Sequence, residues 1–352
     1  MKHLKIYNKQ DVLSFTSIRK YETKLGERVQ VIHNTQDIHA ALQQSTAKFV
    51  LFGVSENIGI KANYGYVGSS HAWLSFLRIF LNIQSNDFFD GREILVLGNF
   101  DFSDVENVID ANAHQFEEKI EAWRHAVNMI DDEVEKITQI ITQYKKLPIV
   151  IGGGHNNAYP CIKGSAKGWY KAGVIDLPQL NAINLDAYAD YTATEGRHSG
   201  NAFRYAEEDG FLKKYCVIGL HENNIQQNVW IDMVNNPFVD CITFEDIFIH
   251  KKRNFIQSIA HATAFTDDTL VGIELDMNCI ESVNSKTNAT VGISPLHARQ
   301  YVNYITYDSK PAYFHICQGT TLTTGEQLID TNAQLISFLV SDFIKGVLQQ
   351  LT

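Results

Sequence analysis

Three short segments carry side chains able to hold a cation. In Gly152-Gly153-Gly154-His155-Asn156, glycines let the backbone turn sharply and approach a site closely, and an imidazole follows. Such a turn is more often only a turn, and this one lacks the Lys-Ser/Thr ending of a phosphate-cradling loop. In Asp186-Ala187-Tyr188-Ala189-Asp190, two carboxylates four residues apart can grip one divalent ion. The same spacing suits a helix N-cap with a solvated acid nearby. In Glu274-Leu275-Asp276-Met277-Asn278, alternation along a strand puts Glu274, Asp276 and Asn278 on one face. A polar row at the end of a buried strand is costly unless something pairs with it, and a cation, a basic side chain or buried water would each serve. Imidazole and carboxylate donors together suit Mn²⁺, with Zn²⁺ or Fe²⁺ compatible.

The surrounding elements can bring these segments together. Apolar runs at Lys48 to Val54, Glu93 to Gly98, Leu147 to Ile151, Asn181 to Leu185, Cys216 to Leu220, Thr269 to Leu275 and Ala312 to Cys317 read as buried strands. From about His114 to Lys146, apolar residues recur at helical spacing (Ile120, Trp123, Val127, Ile130, Val134, Ile137, Ile141), which predicts a long amphipathic helix. Strands alternating with helical stretches imply a mainly parallel sheet, whose ligands collect at the carboxyl ends of the strands. His155, Asp186, Asp190 and Asp276 all follow or end such strands, so four donors spread over more than a hundred positions can converge.

Taken in order and type, the three segments resemble the signatures of the ureohydrolase superfamily of arginases, agmatinases and formimidoylglutamases: a Gly-Gly-Gly/Asp-His turn, an Asp-x-His-x-Asp motif and an Asp-x-Asp strand. Asn63-Tyr64-Gly65 with Gly68 resembles the N-terminal Asn-x-Gly-Arg-x-Gly segment, with Tyr66 where arginine is usual. Ser199-Gly200-Asn201-Ala202-Phe203-Arg204 resembles the Ser-Gly-Thr-Pro-Phe-Arg loop of formimidoylglutamases. The resemblance spans roughly residues 48 to 345. It implies a single three-layer α/β/α domain over 1–352 with a mainly parallel central sheet, residues 1–47 forming an N-terminal extension. It also implies two Mn²⁺ ions bridged by a hydroxide that attacks an amidine or guanidinium carbon. One ion falls to His155, Asp186, Asp190 and Asp276. The private ligands of the other become Tyr188 and Asn278, so a filled first site and a weak or empty second one are expected. An alternative register, pairing Glu274 with Asp276, would return a charge to the second site; the first register keeps Asp at the bridging position and is preferred.

The resemblance further suggests Asp190 as the residue orienting the nucleophile, and His198 or Ser199 as the loop residue moving a proton. Arg197, Asn201 and Arg204 are candidate contacts for a substrate carboxylate. Gln318 stands where related chains often carry Glu. The expected activity is hydrolysis of a linear amidine or guanidine C–N bond in a small molecule, formimidoylglutamate being the leading candidate. The alternative is a degenerate, non-enzymatic member with one metal or none, and a one-metal enzyme of altered specificity sits between the two.

Composition bounds the rest. The 352 residues carry a net charge of -10 and no basic stripe, which argues against a nucleic-acid partner. The five cysteines, Cys161, Cys216, Cys241, Cys279 and Cys317, are odd in number and widely spaced, which points to free thiols. Neither a membrane span nor a signal peptide is expected, so the cytoplasm is the expected compartment and a homo-oligomer a compatible assembly.

Overall fold

Continuous apolar runs along the strands decide the architecture. In β1 (Leu4–Ile6), β2 (Phe49–Ser55), β3 (Ile94–Asp101), β4 (Leu147–Ile151), β5 (Leu180–Leu185), β6 (Leu212–Leu220), β7 (Val239–Thr243), β8 (Val271–Asp276) and β9 (Pro311–Cys317), the central strands are apolar on both faces. Such strands fit a parallel sheet covered on both sides. A computed structural model describes residues 1–32, 37–65, 68–281, 283, 290–319 and 331–350. Within them the nine strands form one sheet in the order β1-β3-β2-β4-β9-β8-β5-β6-β7. Only β1 pairs antiparallel, at the edge against β3; the other neighbours are parallel.

One core packs Phe49, Leu51, Ile149, Ile151, Ile183, Leu185, Ile273 and Leu275 under the helices Ala72–Phe80, Phe255–Phe265, Pro295–Asp308 and Thr331–Gln349. The other packs Val50, Phe52, Val150, Ala182, Val217 and Tyr313 under Phe116–Gln143 and Ala158–Lys171. The result is the expected three-layer α/β/α arrangement. Residues before 48 join it: β1 extends the sheet, and Val12, Leu25, Val29 and Leu42 are buried in the two cores. No described helix is long and apolar enough to cross a membrane.

All seven expected strands are present, and the long helix runs Phe116–Gln143, a few residues inside its expected ends. Strands β1 and β7 were not expected. The first is only three residues long, and the second, Val-Asp-Cys-Ile-Thr, mixes polar and apolar residues as an outermost strand can. One expectation is corrected. The polar row does not run through Asn278, because β8 ends at Asp276. The Asp276 carboxylate accepts the Asn278 N–H at 2.6 Å, which turns the chain into the short 3₁₀ helix Met277–Cys279. Tyr66 lies outside the described residues.

Candidate metal centre

The register builds a polar stack on one face of the sheet, at the carboxyl ends of its middle strands. Asn184 pairs with Glu274 and Glu274 with His315, while one step further Asp276 pairs with Cys317. Paired residues on parallel neighbours share a face, so these side chains lie opposite the Leu275 and Ile316 side. Asp186 follows β5 directly.

His155, which follows β4, must reach toward the Asp186 end of this stack after β5, about 14 Å away across three strand spacings. The glycine turn makes the reach possible. Gly152 and Gly153 take φ of 94° and 74°, a left-handed conformation open to glycine. A β-carbon on Gly153 would lie 2.7 Å from Glu56 Oε1. Glu56, wholly buried, holds the turn: Oε1 accepts from the Gly154 N–H and Asn157 Nδ2, both at 2.8 Å, and Oε2 accepts from the Gly59 N–H at 3.0 Å. Sequence reading missed Glu56 because its partners in the glycine turn, Gly154 and Asn157, lie 98 and 101 positions away.

The four donors then meet. His155 Nδ1 lies 2.7 Å from Asp190 Oδ2, 3.0 Å from Asp186 Oδ2 and 3.6 Å from Asp276 Oδ2. One ligand atom from each of the four lies within 4.8 Å of every other. His155, Asp186 and Asp276 are buried and Asp190 nearly so. The Phe203 ring meets His155 edge-on at 5.2 Å and stacks on Tyr215 at 4.2 Å, closing that side to water. Asp190 takes φ of 45°, in the left-handed region.

The electrostatics call for a cation. Burial, then the charges of Asp276 and Asp190, pushes the Asp186 carboxyl up to about 8. Burial raises Asp190 as well. Against burial, which would lower it, contacts with Cys317 and the three carboxylates raise His155. Both ring nitrogens of His155 and Asp190 Oδ2 are buried without a hydrogen-bond partner of acceptable geometry. Three crowded acids and an unpartnered imidazole fit a hard or borderline divalent ion, whose charge would favour the ionised forms of Asp186 and Asp190.

Glu274 lies in a lower tier. Burial would raise its carboxyl, but the His315 and His155 imidazoles bring it to about 2. It is absent from the four-donor group and forms a separate group of possible ligands with His155 and His315. Tyr188 is 41% exposed, so it lies at the mouth, with its N–H on Asp186 Oδ1 at 2.9 Å. Asn278 Nδ2 donates to Gln318 Oε1 at 2.6 Å, which brings those two expected residues together beside the carboxylates.

The loop after Asp190 holds itself together instead of presenting reactive groups. Arg197, 3% exposed, donates to Asp131 at 2.9 and 3.3 Å, to Asn201 Oδ1 at 3.0 Å and to the Asn156 carbonyl at 2.8 Å. Its guanidinium lies against the Tyr159 and Tyr205 rings, 4.5 and 5.0 Å from their centres. The expected substrate contact is therefore a clamp between the long helix, the loop and the turn bearing His155. Asn201 is spent likewise, donating to the Ala193 and Gly196 carbonyls while accepting from Arg197 and the His198 N–H. Arg204 pairs with Glu208 and Asp232 at the surface. The Ser199 N–H donates to the Gly59 carbonyl at 3.0 Å, and its hydroxyl accepts from Asn63 Nδ2 at 3.3 Å.

His198 is buried, and its Nδ1 accepts the Gly200 N–H at 3.0 Å. Burial, with Arg124 and Arg197 nearby, pushes the imidazole down to about 4, too weak a base to take a proton near neutrality. A depressed folded-state value means that the unfolded chain binds the proton first on acidification. Stability is then complete above about 6.5 and falls as pH drops toward 4. We expect His198→Asn to flatten the urea-unfolding free energy across that window by about 3 kcal/mol. An unchanged slope would show that His198 is not the group responsible.

A parallel sheet carrying an imidazole and three carboxylates over its strand ends has the architecture of a ureohydrolase-type metal centre. The chain belongs to the arginase family, whose pattern matches residues 77–306. Over 281 residues it is 23% identical to the formimidoylglutamase of Streptococcus pyogenes, covering 77% of this chain and 76% of that protein. It is 25% identical over 203 residues to the formimidoylglutamase of Ralstonia nicotianae, covering 56% of this chain and about half, 54%, of that relative. Among solved structures, Bacillus subtilis formimidoylglutamase superposes with a TM-score of 0.68 at 16% identity, covering 96% of this chain and 95% of that one. The N114H variant of Trypanosoma cruzi formiminoglutamase with Mn²⁺ superposes at 0.65 and 16%, covering 92% and 98%. These superpositions establish the arginase-like fold.

Proposed function

We propose that this protein hydrolyses the C–N bond of a linear amidine or guanidine, with N-formimidoyl-L-glutamate as the leading substrate. The observation that carries the reading is the convergence of His155, Asp186, Asp190 and Asp276 within 4.8 Å. Family membership and the formimidoylglutamase relatives support the bond type. These four residues would hold one divalent ion, Mn²⁺ being the first choice for their donors. When bound, such an ion lowers the pKa of water so that hydroxide is available near neutral pH.

The protein's own groups do the rest. Asp190, the least buried of the four, holds the attacking water in line through a carboxylate oxygen and receives its proton. Phe203 and Tyr215 keep bulk water from the His155 side. Attack on the amidine carbon expels the amine nitrogen, which takes up the proton that Asp190 received; formimidoylglutamate and water then give glutamate and formamide. Neither Arg197 nor Arg204 is assigned to the substrate carboxylates, since both are engaged elsewhere.

The test is formamide or urea release from formimidoylglutamate, arginine, agmatine and related amidines with added Mn²⁺. Release that needs Mn²⁺ and disappears in His155→Ala supports the reading; inactivity across the panel overturns it. A second reading, a non-enzymatic member, is favoured by Tyr188 and Asn278 standing where the second ion's own ligands would be.

A further inference from the structure

Beneath the carboxylates that face His155 lies a second buried tier centred on Glu274, which is wholly inaccessible to solvent. Glu274 Oε1 accepts from the Tyr313 hydroxyl at 2.6 Å. Oε2 lies 2.6 Å from His315 Nδ1 and 3.5 Å from His155 Nε2. Tyr313 and His315 both come from β9, whose register sets His315 directly beside Glu274. One carboxylate thus gathers two hydrogen-bond partners and, at ion-pair distance without a hydrogen bond, the Nε2 of His155, in a place where an unpaired charge would be costly.

The two nitrogens of His155 therefore face different surroundings. The three aspartates each approach Nδ1 most closely, at 2.7 to 3.6 Å. Glu274 approaches Nε2 instead. A neutral imidazole carries one proton: the nitrogen bearing it needs an acceptor, and only the other can offer a lone pair.

We propose that Glu274 is a positioning residue for His155, holding the proton on Nε2 so that the Nδ1 lone pair is turned toward a cation among Asp186, Asp190 and Asp276. Tyr313 and His315 in turn fix the Glu274 carboxylate, leaving it little freedom to rotate away. The inference rests on the reading of His155 as a metal ligand and adds the group that prepares it. It also gives Glu274 a role other than that of a ligand. An amide at this position could not substitute, because its one oxygen cannot face all three groups and its NH₂ would confront one of them.

The experiment compares Mn²⁺ binding by the native protein, Glu274→Gln and His155→Ala, by competition with a chelator, alongside thermal melts without metal. The expected result is roughly 10–100-fold weaker binding in Glu274→Gln, as partners of metal-bound histidines typically produce. No further loss is expected when the substitution is added to His155→Ala. Native affinity in a folded Glu274→Gln protein overturns the inference and leaves the proposed function standing. Failure of the native protein to bind Mn²⁺ overturns both. Should Glu274→Gln not fold, the native protein decides alone, through long-range ¹H–¹⁵N spectra of its Zn²⁺-loaded form. A proton on Nε2 with metal on Nδ1 supports the inference, and the reverse overturns it.

Discussion

Asp186→Asn is expected to make the metal-free protein more stable near pH 7 while abolishing its response to Mn²⁺. Asp186 is buried against Asp190 and Asp276, and its carboxyl is pushed up to about 8 by burial first and by those two charges next. For an acid raised this far above its unfolded value near 3.9, folding favours the protonated form. The cost begins above pH 4, grows toward 8, and vanishes on acidification. Asparagine avoids it, so metal-free Asp186→Asn should gain roughly 2–4 kcal/mol at pH 7. The amide keeps part of the local bonding: its oxygen can still accept the Tyr188 N–H. With Mn²⁺ the order reverses, because an ion at about 1,000 times its dissociation constant adds about 4 kcal/mol to the native protein alone. Urea melts in EDTA and in Mn²⁺ read both halves. A variant less stable than the native protein in EDTA at pH 7 would contradict the account of crowded acids, and retained Mn²⁺ stabilisation would remove Asp186 from the site.

The second large effect concerns ion number. The native protein should retain one Mn²⁺ per chain after gel filtration, and Tyr188→His with Asn278→Asp should retain two. Tyr188 lies near the acids: burial, then Asp186, Asp276 and Asp190, raises its phenol, which keeps it protonated and a poor ligand. Asn278 offers a neutral amide whose nitrogen donates to Gln318. Histidine and aspartate restore an imidazole and a charge beside the shared acids. Gln318 can turn its own amide to donate to the new carboxylate. A second ion contributing about 3 kcal/mol to the transition state would raise hydrolysis roughly 100-fold. Two ions held by the native chain would refute the one-ion reading. Activity found only in the restored protein would favour the non-enzymatic alternative.

The parts of this protein legible from sequence are those whose causes are local. Apolar runs announce buried strands such as β4 and β5, and helical spacing announces Phe116–Gln143. Strand-end placement was enough to bring His155, Asp186, Asp190 and Asp276 together, since parallel strands leave their carboxyl ends on one side. The illegible parts are those whose partners are distant. Arg197 looked available for an anion, and only folding shows Asp131, 66 residues away, already bound to it. His198 looked like a loop base, but burial removed its basicity. Asn278 continued an alternating pattern that the Asp276 cap interrupts.

The backbone at Asp190 limits how this centre can change over generations. At φ of 45°, glycine, asparagine and aspartate are the residues that settle without a large steric cost. Glutamate, the other acid, gains no local support there. The easiest replacements are therefore the two that erase the charge and keep the chain's path. Drift at this position would silence the centre while leaving the scaffold intact, so a lineage could abandon the chemistry long before it lost the fold.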